Sequence, residues 1–249
     1  MDRITSRKNA HIALLRALAS DAALRAERGE FVCDGLKLLG EAAAAGAEIT
    51  SVLWKEGGAA GGADCAAQFC APPELFDYAS AMKNSPGPLF TVRMRADAEE
   101  KAENALILEN VQDPGNVGTV LRTANAFGVG AVVLIGECAD LYNPKTVRAT
   151  MGAIFRQRVL RMTLEELPAW LRRNELRLYC AALDRNAADL RELSLAHSAV
   201  AVGSEGRGLS AALLALGERN IIIPMSPESE SLNAAVAASV LMWEMRRGR

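Results

Sequence analysis

ALILENVQDPGNVGTVLRTANAFG, residues 105–128, joins two elements of opposite character across a Pro-Gly-Asn turn. ALILEN is a short, almost wholly apolar run of the kind buried on both faces of a parallel sheet. VQDPG is turn chemistry, and the residues after it read as a mostly small, apolar helix over 116–127. Asn116 can cap that helix by accepting a backbone N–H. Gly118 and Ala124 leave the helix surface bare, so another backbone or a ligand can come close. Arg122 is the exception: it lies six residues past Asn116, and its long side chain brings it within reach of the helix mouth. Read locally, the stretch is either a cap with a surface arginine or the edge of a binding site.

The same rhythm recurs downstream. AVVLIG, LRLYCAAL, AVAVGS and NIIIPM are further apolar runs of buried-strand type, and helical segments are expected at 144–152, 164–173, 209–216 and 232–247. This alternation predicts an α/β domain with a mainly parallel sheet covered on both faces. Upstream, RADAEEKAEN (95–104) is charged and poor in large apolar residues, as an interdomain linker is. The expected division is therefore 1–94, a linker over 95–104, and 105–249.

Within the first part, Ile12, Leu15 and Leu18 share one side of a helix over His11–Ala19. GEFVCDG reads as a strand, followed by a helix over Leu36–Ala45 and a strand over Ile49–Trp54. KEGGAAGGADC is a glycine-rich loop without the GK[ST] ending of a phosphate loop. A helix near Pro73–Ala81, the turn NSPGP and a strand at Leu89–Arg93 complete it.

Composition narrows the function. The chain has 249 residues, half of them hydrophobic, and a net charge of -2, enough for one large domain or two modest ones. No apolar run of membrane-spanning length is free of charges, and the basic, amphipathic N-terminus does not read as a signal peptide. Five cysteines without CxxC spacing point to reduced thiols and a cytoplasmic location. The two histidines, His11 and His197, sit near no Cys, Asp or Glu cluster of ligand spacing, so no metal site is expected. A pI near 5.9 argues against indiscriminate nucleic-acid binding and leaves room for local basic patches. One candidate is Arg3, Arg7, Lys8, Arg16, Arg25 and Arg28, either a solvated face or an RNA-facing arm.

In open α/β sheets ligands bind beyond the carboxyl ends of the strands, and two more features stand there. AVAVGSEGRGLS (Ala199–Ser210) runs a buried strand into Gly203-Ser204-Glu205-Gly206-Arg207-Gly208. Its glycines allow a tight turn, and the Glu205 carboxylate can accept from an amine or hydroxyl. A plain turn is the other reading, and neither GxGxxG nor a distal acid supports a dinucleotide site. NIIIPMSPESESLNAAVAASVLMWEMRR ends a strand at Pro224 and opens a small-residue helix, with Ser231 as a reasonable N-cap. It reads either as a capped core helix or as one whose Ala-rich face (Ala234, Ala235, Ala237, Ala238) packs closely against another element or another subunit.

Together, NxGxxxR, GSEGRG and P-x6-SLN-x2-VA, each after a strand, resemble the three motifs of the SpoU (TrmH-type) RNA 2′-O-ribose methyltransferases, over Leu106 to Arg247. TMGAIF (Thr150–Phe155) looks like the family's segment before its middle strand. ITSRKN and GEFVCDGLKLL make the first third similar to the family's small, ribosomal-protein-like RNA-binding domain, with Asp34 where members often have Glu.

The resemblance implies a SPOUT α/β-knot fold with a deep C-terminal trefoil knot, a homodimer, and S-adenosylmethionine held by backbone groups at Gly203, Ile223, Met225 and Leu232. It implies catalytic roles for Arg122, Asn116, Glu205, Ser231 and Asn233. Arg122 matches the arginine assigned to activating the ribose hydroxyl. A guanidinium almost never loses its proton, so clamping the adjacent phosphate and stabilising the alkoxide is the expected role, with a base role as the alternative where phosphate or neighbouring groups perturb it. Asn116 would orient Arg122 or the ribose, and Glu205, Ser231 and Asn233 would complete the polar rim. The implied substrate is 23S ribosomal RNA, in a housekeeping or antibiotic-resistance role. The alternatives are tRNA, or a non-catalytic ribosome-binding or assembly factor.

Overall fold

The computed structural model describes residues 1–58, 64–96, 100–184, 186–226, 228 and 231–247. The chain divides into two compact units, Met1–Ala96 with Asp140–Arg156, and Asp97–Ala139 with Gln157–Arg249.

The first unit is built from β1 (Asp2–Arg3), α1 (Ala10–Ser20), α2 (Ala22–Arg28), β2 (Glu30–Asp34), α3 (Leu36–Ala44), β3 (Ile49–Lys55), β4 (Ala67–Ala71), α4 (Pro73–Ala79) and β5 (Leu89–Arg93). Its sheet has the order β1-β4-β3-β5-β2, with β5 antiparallel to both neighbours and the remaining pairs parallel. Strand alternation sorts the core into two faces. Phe31, Cys33, Val52, Trp54, Phe90 and Val92 meet Leu38, Leu39 and Ala42 of α3. Val32, Leu53 and Leu89 meet Ile12, Leu15 and Leu18 of α1 and Leu75 and Phe76 of α4.

α2 and β4 were not anticipated from the sequence. α2 is short and turns no apolar stripe inward; its buried residue is Arg25, which donates to the Leu18 carbonyl at 2.6 Å and pairs with Asp140. β4 is only half-buried along most of its length, so the alternation that marks a strand is weak. Parts of three sequence features, 59–63 of the glycine-rich loop, 97–99 of the expected linker and 227 and 229–230 of the polar loop before the last helix, lie outside the described residues.

Next along the chain come β6 (Ala105–Glu109), α5 (Pro114–Phe127), β7 (Ala131–Ile135), α6 (Pro144–Ala149), a 3-10 turn (Ala153–Phe155), β8 (Val159–Met162) and α7 (Leu167–Asn174). They are followed by β9 (Arg177–Ala181), β10 (Ala188–Asp189), β11 (Ser198–Gly203), α8 (Ala211–Leu216), β12 (Arg219–Ile222) and α9 (Ala234–Arg247). The strands form one seven-stranded sheet, β10-β12-β9-β11-β6-β7-β8, parallel throughout. The sequence marked five of them; β8 and β10 are short and interrupted by polar residues.

On one face Ala105, Ile107, Val133, Ile135, Ala199 and Ala201 pack with Leu167, Trp170 and Leu171 of α7 and Leu213 of α8. The alternate residues Leu106, Leu108, Val132, Leu134, Val200 and Val202 are buried too, and α5 and α9 pack on each other and on β7 and β11. This double burial is why the strands read as unbroken apolar runs.

A single boundary at 95–104 does not capture where 140–156 packs. Val147, Ile154 and Phe155 join the α3 side of the first unit's core, and Arg156 pairs with Glu41 at 2.7 Å.

Two helix caps differ from the sequence reading. α5 begins at Pro114, and Asp113 Oδ1 accepts from the Asn116 N–H at 2.8 Å, so Asp113 is the cap and Asn116 is not. Proline suits the first helical turn, where its missing N–H is not needed, and this moves the start upstream of Asn116. α9 begins at Ala234, and Asn233 Oδ1 accepts from the N–H groups of Ala235 at 3.0 Å and Val236 at 3.3 Å. Asn233, rather than Ser231, caps it. Among the described residues, no helix is long and apolar enough to cross a membrane.

Candidate functional site

Full burial of a Leu or Val side chain contributes roughly 1.5–3 kcal/mol, so a charged residue inside this sheet needs compensation. Glu109, the last residue of β6, is 4% exposed. Its Oε2 accepts from the Ser210 backbone N–H and its Oε1 from the Ser210 hydroxyl, both at 2.7 Å. Ser210 Oγ in turn accepts from the Leu213 N–H at 3.1 Å and caps α8. Glu109 thus staples the end of the 204–210 loop to the neighbouring strand. The sequence reading passed over Glu109, although a lone carboxylate ending a wholly apolar strand was a usable signal.

The start of that loop is fixed differently. Gly203 lies opposite Glu109 in the β11–β6 register. A Cβ at Gly203 would fall 2.1 Å from the carbonyl carbon of Gly208, so no other residue fits there. Gly208 takes a left-handed φ of +64° and donates its N–H to the Ser204 carbonyl at 2.8 Å. The loop is pinned at both ends.

Beyond the carboxyl ends of β9, β11 and β12 lies a cavity of about 370 Å³. Its walls include Leu183, Val202, Leu209 and Ile221–Ile223, with Gly203, Met225, Ser231 and Leu232. Gly203, Ile223, Met225 and Leu232, the four expected cofactor-binding residues, all line it. A second, more polar cavity of about 360 Å³ is lined by Asn110–Asp113, Asn116, Glu137 and Ser204–Arg207. Ser204, Glu205, Arg207 and Ala234 line both.

At that shared wall, three side chains from distant segments meet. Asn116 donates its amide to Glu205 Oε1 at 3.0 Å. Asn233 donates to the same oxygen at 2.5 Å and to Asn116 Oδ1 at 3.2 Å. The Ala234 N–H also reaches Glu205 Oε1, at 3.2 Å. Three of the five expected catalytic residues are therefore bonded to one another. Ser231 is exposed and lines the first cavity.

Arg122 is not brought to this cluster within the chain. Six residues along a helix amount to about 9 Å of rise and a phase about 120° away from Asn116. It is exposed and lines neither cavity. Its helical phase, legible in the sequence, already opposed the expected reach.

The neighbouring thiol is fully buried. Cys180, one residue before the cavity-lining Ala181, is pushed up to about 11, first by burial and then by the charge of Glu109. Among the described residues, no group of three or more His, Cys, Asp or Glu could hold a metal ion. The site offers amides, hydroxyls, the carboxylates of Asp113, Glu137 and Glu205, the guanidinium of Arg207 and apolar walls, chemistry suited to binding and orienting a polar substrate beside an apolar-seated one.

Residues 103–243 match the SpoU rRNA Methylase family. A 23S rRNA guanosine 2′-O-methyltransferase of Bacillus subtilis is 41% identical over 152 residues, 59% of this chain and 61% of that protein. The match thus spans less than two thirds of that relative's length. An uncharacterised tRNA/rRNA methyltransferase of Synechocystis is 31% identical over 98% of this chain and 93% of its own. The AdoMet-bound rRNA methyltransferase of Sinorhizobium meliloti superposes with a TM-score of 0.86 at 26% identity, covering 99% of this chain and 97% of that one.

Proposed function

The chain belongs to the SpoU rRNA methylase family, and on that premise we propose that it methylates a ribose 2′-hydroxyl of 23S ribosomal RNA, using S-adenosylmethionine, in the cytoplasm. The observation that carries this is the Asn116–Glu205–Asn233 cluster, centred on Glu205, which lines both cavities.

The larger cavity fits the methyl donor. Apolar side chains at Val202, Leu209 and Ile221–Ile223 can flank a flat base, and Gly203 keeps the backbone bare at the loop's start. When bound, S-adenosylmethionine supplies an electrophilic sulfonium methyl.

The chain's own task is the nucleophile, because a ribose hydroxyl is a weak acid. Holding it in line can itself supply roughly 7–11 kcal/mol of the barrier. Glu205 Oε1 is saturated by three N–H donors, which leaves Oε2 to accept the hydroxyl proton's hydrogen bond. Asn116 and Asn233 hold the carboxylate in register. Ser231 Oγ, on the donor side of the wall, adds an orienting hydroxyl. Arg122 stabilises the developing alkoxide and its neighbouring phosphate.

Arg122 lies off the cluster in its own chain, so this role calls for a second copy. A homodimer is supported by the exposed apolar stripe of α9: Val236 is 49% exposed, Val240 36% and Trp243 56%. Trp243 also makes an edge contact with Phe127 of α5, 5.7 Å between ring centroids, linking the stripe to the helix that carries Arg122. We further propose the trefoil knot and an RNA-binding first domain. The knot is supported by the sheet order, in which β11 enters between β6 and β9 while α9 returns from β12 to pack on α5.

Titration calorimetry with S-adenosylmethionine tests the reading. One site per chain, abolished or weakened at least tenfold by placing a side chain at Gly203, is the expected result. No detectable affinity would leave a non-catalytic ribosome-binding protein as the better account.

A further inference from the structure

Ser204, Glu205, Arg207 and Ala234 separate the two cavities at the strand ends. Taking these as the methyl-donor and nucleotide pockets of the proposed function, we propose that Arg207 is a substrate-binding residue that clamps an anion at this wall, the phosphodiester beside the reacting ribose.

Charge is the first reason. Among the described residues, Arg207 is the one Lys or Arg lining either cavity, and the other charged side chains there are Asp113, Glu137 and Glu205. Asp113 and Glu205 accept from neutral N–H groups, so their negative charge is not neutralised. A nucleotide in the polar cavity brings a phosphate toward these carboxylates, and like charges at a partly enclosed site repel strongly. A cation is needed, and one is there.

Availability is the second. Arg207 is exposed and takes part in no hydrogen bond or ion pair among the described residues. By contrast, Arg3, Arg156 and Arg191 are each engaged by a carboxylate. Arg122 lines neither cavity of its own chain, so within one chain Arg207 is the positive charge at this wall.

Placement is the third. The loop carrying Arg207 is closed by the Gly208-to-Ser204 hydrogen bond, the close approach at Gly203 and the Glu109–Ser210 staple. A pinned loop holds the base of the side chain still, and the planar guanidinium fork matches phosphate oxygens bidentately. The donor's carboxylate is an anion of similar demand within the same cavity wall, so the test must separate the two sources.

Full-length wild type, Arg207→Ala and Arg207→Lys are compared by calorimetry with S-adenosylmethionine and by initial rates on ribosomal RNA at several salt concentrations. Arg207→Ala is expected to bind S-adenosylmethionine within twofold of wild type while its KM for RNA rises tenfold or more. The plot of log affinity for RNA against log salt should flatten by about 0.7–0.9, the loss of one phosphate contact. Arg207→Lys should restore the slope and only part of the KM, because an ammonium lacks the fork. Unchanged RNA KM and slope in Arg207→Ala would overturn the inference. So would a tenfold loss of S-adenosylmethionine affinity with RNA binding intact, which assigns the guanidinium to the donor carboxylate. A wild-type chain with no S-adenosylmethionine affinity refutes the functional reading itself, and this inference with it.

Discussion

Glu205 holds together more of the site than any other side chain, because one of its oxygens accepts N–H groups from Asn116, Asn233 and Ala234. Replacing it by Gln keeps the size and removes the charge that all three donors share. Glu205→Gln is expected to lower the single-turnover rate by about 100-fold or more, the scale of a lost acid–base group. A rate within threefold of wild type would remove Glu205 from the mechanism. Asn233→Ala should lose methyl transfer and also destabilise α9 by about 1 kcal/mol, since the same side chain caps the helix. Arg122→Ala should keep S-adenosylmethionine affinity and lose transfer; normal single-turnover methylation contradicts its assigned role. A different residue sets the response to acid. His11 lies against Phe69 with the rings tilted and their centroids 4.3 Å apart, its Nε2 is buried without a partner, and burial lowers its pKa against a smaller opposing effect of Glu30. The imidazole is therefore neutral when folded and charges more readily when unfolded. Its contribution is complete above the ordinary value near 6.5 and is lost as pH falls below it. Thermal denaturation between pH 7.5 and 5.5 should show a falling Tm for wild type and a flatter profile for His11→Phe.

At the scale of elements, the Glu109–Ser210 staple decides how firmly the 204–210 loop is held. Gln at 109 keeps one acceptor oxygen and turns an NH2 toward a donor. Glu109→Gln is expected to cost about 1–3 kcal/mol in urea unfolding and to weaken S-adenosylmethionine binding beyond any change in the folded fraction. Equal affinity at full folding would make the staple purely structural. The buried strands were legible in sequence because burial on both faces leaves unbroken apolar runs, as in ALILE and AVVLI. α2 and β4 were not, since Arg25 is buried by hydrogen bonds to Leu18 and Asp140 and β4 is half-exposed. The two displaced caps share a cause. Asp113 and Asn233 were close to the expected caps, and local propensity does not rank neighbouring Asp, Asn and Ser finely enough to choose. The meeting of Asn116, Glu205 and Asn233 came from motif resemblance. Composition and periodicity carry no information on contacts spanning 89 and 117 residues.

For the whole molecule, the two units raise the question of assembly. Val236, Val240 and Trp243 follow one another at helical spacing on α9 and remain exposed, which is costly for an isolated chain and natural at a self-association surface. Trp243→Glu should convert a dimer to a monomer in light scattering and lose methyl transfer while keeping the far-ultraviolet spectrum. A fully active monomer would remove the second copy from the account of Arg122. The packing of 140–156 into the first unit, through Val147, Ile154 and Phe155, also means that neither unit is a continuous stretch of chain. Truncation at 95–104 would strip a segment from the first unit's core, so tests belong on the full chain. The most direct measurement is incubation with S-adenosylmethionine carrying a labelled methyl group and ribosomal RNA, followed by mapping of the modified nucleotide. The account predicts label on the ribose 2′-oxygen of one 23S position, lost in Glu205→Gln. Label on a base, or none in any RNA, would contradict it.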